Sequence, residues 1–130
     1  MYQKIIVAVD VERPESAATA LAAAEQLAAL GEAALCVVSV RADDAALTTF
    51  AFGEAVKELA AAVKARSGLD VGWRAVDDDD VDEGLERIVE ELEPDLVVIG
   101  AHEPTWLEIF TGPTIRDFVA KCEASLLIAR

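Results

Sequence analysis

Two short segments, Ile5-Ile-Val-Ala-Val9 and Leu96-Val-Val-Ile99, are apolar at every position and rich in β-branched residues. A strand with one wet face alternates apolar and polar side chains, whereas a strand apolar throughout is buried on both faces. Such strands belong to parallel sheets covered by helices on both sides. These two runs therefore restrict the chain to an α/β architecture more tightly than any other feature does.

The intervening sequence supplies the helices. Over residues 14–30, Ala17, Leu21, Ala24 and Ala28 recur on one helical face, Pro14 suits a first turn, and Gly31 is expected to stop the helix. Residues 34–40 read as a second strand. Asp43 and Asp44 are expected to cap a long helix striped by Phe52, Val56, Leu59, Ala60 and Val63 and ended by Gly68. Residues 70–76 alternate, with Val71, Trp73 and Ala75 on one face and Gly72 and Arg74 on the other, so this third strand belongs at an edge. Residues 77–80 form a loop that caps a third helix, striped by Leu85, Ile88, Val89 and Leu92 and closed by Pro94. Ile115, Phe118, Val119 and Cys122 stripe a fourth helix, and residues 125–129 form the last strand.

The resulting βαβαβαβαβ order, with right-handed crossovers, predicts one domain over residues 1–130. Its core is a doubly wound, open, parallel five-stranded sheet of order 3-2-1-4-5. The strand order reverses between strands one and four, where ligands of such sheets bind at the carboxyl ends of the strands. Asp10 and Gly100 are expected to face that crevice. The last strand is the second edge, and Leu126, Leu127 and Ile128 leave it apolar and uncharged. Pairing with the same strand of a second copy, giving a homodimer, is the expected solution.

Charge and motifs narrow the function. The net charge is −14, which repels nucleic acid and anionic membranes and opposes a polyanionic ligand. It also fits a high-salt cytoplasm, in which self-repulsion is screened. No apolar run approaches the ~20 residues of a membrane span and no signal peptide is evident, so a cytoplasmic protein is expected. Cys36 and Cys122 form no Cys-x-x-Cys and read as buried free thiols. No Walker loop, nucleophile elbow or zinc motif is present, so no catalytic residue and no metal site is expected. His102 reads as a structural histidine beside the crevice, the acidic run 77–80 as solvated loop, and Asp10 as either a ribose or base partner or a turn cap. Trp106, Leu107, Ile109 and Phe110 read as local packing under their loop.

Several segments together resemble the universal stress protein family. They are Ile5-Ile-Val-Ala-Val-Asp10, the strand ending Val37-Val-Ser-Val40, Asp95-Leu-Val-Val-Ile-Gly-Ala-His102, and the closing apolar strand before Arg130. The resemblance implies a Rossmann-like fold of the adenine-nucleotide alpha hydrolase kind and a non-enzymatic stress-response role. Members that bind ATP show Gly-x2-Gly-x9-Gly-Ser/Thr. Aligned from Gly100, this chain has Glu103 and Pro113 at the second and third glycine positions and Thr114 at the last, with Gly112 one residue early. By resemblance, Asp10 and Val40 hold ribose and adenine. Val11 and Glu12 stand where the family often has Gly-Ser, beside the phosphates.

Glu103 sets a carboxylate where backbone should meet phosphate, and two unit charges at 4 Å repel by ~4 kcal/mol at an effective dielectric of 20. Pro113 removes a backbone donor. Lost or weakened ATP binding is expected, with adenosine or AMP less excluded than ATP. The alternative is a working ATP-binding member, with slow hydrolysis, in which Gly112 and Thr114 restore the loop. A phosphoacceptor receiver built on Asp10 and Asp77 shares the strand order but lacks the lysine that such a domain needs after strand five.

Overall fold

The computed structural model describes residues 2–100 and 123–130. Its elements are β1 (Lys4–Ala8), α1 (Pro14–Gly31), β2 (Ala34–Arg41), α2 (Thr49–Ser67), β3 (Val71–Asp77), α3 (Val81–Leu92), β4 (Leu96–Gly100) and β5 (Ser125–Ala129). Every strand pair is parallel and the sheet order is β3-β2-β1-β4-β5, as the alternation of strands and helices predicts. The two strands at the switch point are the two continuous apolar runs, and Ile5 to Val9 and Val97 to Ile99 have no exposed surface.

Successive residues of a strand point to opposite faces, and this divides the core in two. Ile5, Val7, Leu35, Val37 and Val98 meet α1 and α2, while Ile6, Ala8, Val38, Val97 and Ile99 meet α3. The stripe Ala17, Leu21, Ala24 and Ala28 is buried as the spacing predicts. Its small side chains bring the helix close to the sheet. Phe52, Val56, Ala60 and Val63 of α2 are buried likewise, as are Leu85, Ile88 and Val89 of α3. The expected fourth helix, with Ile115, Phe118, Val119 and Cys122, and the packing of Trp106, Leu107, Ile109 and Phe110 lie outside the described residues.

Four local expectations are corrected. α1 includes Gly31, and the left-handed residue that ends it is Glu32, at φ 52°, with its N–H on the Ala28 carbonyl. Asp43 and Asp44 do not cap α2: the helix begins five residues beyond Asp44, where Thr48 Oγ1 accepts from the Ala51 amide at 3.2 Å. On β3, Val71 and Ala75 pack on the first core layer, but Trp73 remains 43% exposed. Cys36 is a free thiol that is half-buried rather than buried. Burial pushes its pKa up against the opposing pull of Arg74 and Lys4. By contrast Gly68 ends α2 at φ 70°, and Asp80 Oδ1 accepts from the Glu83 amide at the start of α3, both as expected.

Candidate functional site

β1 does not simply stop at the crevice; it is fastened there. The Val9 amide donates to the Val38 carbonyl, and Ser39 Oγ, itself buried, donates to the Val9 carbonyl at 2.6 Å. Asp10 then turns the chain. Its Oδ1 accepts from the Glu12 amide at 3.0 Å, its carbonyl accepts from the Arg13 amide, and Arg13 Nε lies 3.8 Å from its Oδ2. Asp10 is thus committed to the turn while its side chain is still 30% exposed toward the crevice.

Beyond these strand ends lies a cavity of about 460 Å³. Val9, Val40, Phe52 and Val81 give it an apolar floor, and Asp10, Glu12, Asp44 and Asp79 oppose Arg13 and Arg41 around it. Asp10 and Val40, both named from the sequence, come together here. Val11 does not line the cavity but packs on the first core layer. Gly100 is buried at the end of β4, in register with Ala129. His102, Glu103, Gly112, Pro113 and Thr114 lie outside the described residues.

Sequence reasoning missed the segment that walls this cavity, residues 42–48, which contributes Ala42, Asp44 and Ala45. It is gripped at a single residue. Glu12 Oε1 accepts from the Leu47 amide at 2.9 Å, and Arg41 Nε donates to the Leu47 carbonyl at 2.7 Å. The Glu12 carboxylate, expected to add negative charge beside phosphates, is therefore engaged by the chain itself. Nearby, Thr49 Oγ1 donates to Asp77 Oδ2 at 2.7 Å and Arg87 binds Asp78 at 2.8 Å. A hydrogen bond to Asp43, together with that group's charge, holds the Asp79 carboxyl above the usual carboxylate range.

Gly84 was also missed. α3 crosses β2 so closely there that a Cβ would lie 2.7 Å from Val40 Cγ1, directly behind the cavity floor. A lone glycine in a helical pattern hints at such an approach but does not say to what. Among the described residues no group of three or more His, Cys, Asp or Glu is placed to hold a metal ion, and no helix is long and apolar enough to cross a membrane.

An open, doubly wound parallel sheet with an apolar, polar-rimmed cavity beyond the carboxyl ends of β1 and β2 defines an α/β protein of Rossmann-like type. The sequence matches the model of the universal stress protein family over residues 1–130, and the chain belongs to that family. No curated protein matches it significantly. Among solved structures it is similar to a universal stress protein family member from Burkholderia pseudomallei, with 29% identity, coverage of 98% of this chain and 95% of that one, and a TM-score of 0.70. It is also similar in fold to a universal stress protein from Archaeoglobus fulgidus solved in complex with dAMP (17% identity, 99% and 98% coverage, TM-score 0.71). A third is an Arabidopsis thaliana family member solved with AMP bound (14% identity, 98% and 90% coverage, TM-score 0.62).

Proposed function

We propose that this universal stress protein is a non-enzymatic stress-response regulator whose cavity takes adenosine or AMP in preference to ATP. The observation that carries this reading is the character of the cavity: an apolar floor beneath a rim on which four carboxylates face two guanidiniums. About 460 Å³ lies within the range of small-ligand sites and accommodates a nucleoside. Val40 and Phe52 offer apolar surface to a base, and Asp10 offers an acceptor to ribose hydroxyls. Each added phosphate brings charge into an acidic field, and Glu103 and Pro113 stand where ATP-binding members of the family carry glycines. The complexes with dAMP and AMP among the similar structures support the choice of ligand class. We also propose a homodimer formed through β5.

Isothermal titration with adenosine, AMP and ATP tests the preference. ATP is expected to bind at least about tenfold more weakly than AMP at low salt, with the gap narrowing as KCl screens the rim. Glu103→Gly/Pro113→Gly is expected to recover ATP affinity. Tight ATP binding by the unaltered chain, or a bound 260 nm-absorbing triphosphate after purification, would sink the reading in favour of the ATP-binding alternative, for which Arg13 and Arg41 at the cavity supply the cations.

A further inference from the structure

From the grip on Leu47 we infer that Glu12 and Arg41 are positioning residues that hold the 42–48 segment as a strap across the cavity, and so set its affinity for the nucleoside; this rests on the ligand reading above. The two ends of one peptide-bearing residue are held by opposite charges. The carboxylate of Glu12, from the turn after β1, takes the Leu47 N–H, and the guanidinium of Arg41, at the end of β2, takes its C=O. Both anchors themselves border the cavity, as do Ala42, Asp44 and Ala45 of the strap they restrain. Leu47 packs its side chain on the first core layer, and Thr48 immediately starts α2. The strap is thus fixed at Arg41 and again at Leu47, with the residues between them along the cavity. A ligand that meets a wall already in place loses less affinity to ordering than one that must assemble it. Glu12 accordingly acts through the strap and not by repelling phosphate.

These two roles make opposite predictions. Glu12→Ala removes the acceptor, whereas Glu12→Gln keeps an amide oxygen at the same reach and loses only the charge. If Glu12 positions the strap, Glu12→Ala weakens binding of both adenosine and AMP by about tenfold, the scale of one hydrogen bond to a charged group. Glu12→Gln stays within about threefold of the unaltered chain. Hydrogen exchange at the Leu47 amide accelerates in Glu12→Ala and not in Glu12→Gln, and Arg41→Met, which removes the donor to the Leu47 carbonyl, weakens both ligands as Glu12→Ala does. If Glu12 works by charge, both Glu12 variants instead strengthen AMP and leave neutral adenosine unchanged, and the inference is overturned. Should the unaltered chain bind neither adenosine nor AMP, the ligand reading fails on its own. The exchange data then decide the strap: acceleration confined to Glu12→Ala upholds it, and unchanged exchange refutes it.

Discussion

Asp43 and Asp79 face one another from the loops after β2 and β3, and their interaction holds the Asp79 carboxyl above the usual carboxylate range. Asp43 is in the strap, so protonation of Asp79 relieves the repulsion between the two and lets the Asp79 carboxyl donate to Asp43, a third tether at low pH. The folded-state pKa of Asp79 is raised, so the folded chain holds this proton to higher pH than the unfolded chain does. The stabilisation is therefore complete below the unfolded value of about 3.9 and is lost as pH rises through the raised folded value. This is opposite in sign to the usual ion-paired aspartate. Amide exchange across residues 43–47, corrected for its intrinsic pH dependence, is expected to show greater protection near the ordinary aspartate pKa than at neutrality, with Asp79→Asn flattening the profile. A profile that is already flat in the unaltered chain refutes the tether. None of this was legible in the sequence, where residues 77–80 read only as a solvated acidic run. A carboxyl pair brought together from two loops leaves no local pattern. Asp10 was legible because its position at a strand end is a consequence of the apolar run before it. Glu12 was legible as a charge but not as an acceptor, since its partner lies 35 residues away.

The elements divide in the same way between what periodicity encodes and what only packing decides. Continuous apolar runs sort β1 and β4 to the centre and the alternating β3 to an edge, and the helical stripes follow the 3.6-residue repeat. The start of α2 was misplaced because Asp43-Asp44 is a strong local capping signal. The clamp on Leu47 instead holds the chain out of helix until Thr48. The same holds for Gly84, whose place in α3 is explained only by the approach to Val40. Adding a methyl group there sets a Cβ 2.7 Å from Val40 Cγ1 and 3.3 Å from Asp78 Cβ. Overpacking typically costs about 1–3 kcal/mol, against which Ala returns at most ~1 kcal/mol over Gly in helix propensity. Gly84→Ala is therefore expected to lower stability in urea by about 1 kcal/mol and, by displacing Val40 into the cavity floor, to weaken nucleoside binding as well. Unchanged stability together with unchanged affinity would show that α3 can move away freely, and would remove the reason for glycine at this position.

At the scale of the whole molecule, the sheet among the described residues ends on one side in β5, which there pairs with β4 along one edge only. Its side chains are Leu126 and Leu127, each half-buried on opposite core layers, and Ile128, 39% exposed. An edge strand without charge or proline is a template for another strand. Antiparallel pairing with β5 of a second copy about a two-fold axis satisfies the free backbone groups of both and covers Ile128. Against this stands the net charge of −14, which is doubled in a pair and resists association until salt screens it. The expected outcome is a sedimentation mass of twice 13.8 kDa at micromolar concentration in moderate salt, with dissociation increasing as KCl is lowered. Ile128→Lys places a cation on each partner at the paired edge, the device by which natural edge strands avoid one another. It is expected to give a folded monomer with unchanged far-ultraviolet circular dichroism, because Ile128 is among the exposed large hydrophobic residues and not in either core layer. A single-chain mass for the unaltered protein in both low and high salt rules out the β5 dimer; a dimer that survives Ile128→Lys places the interface on another face.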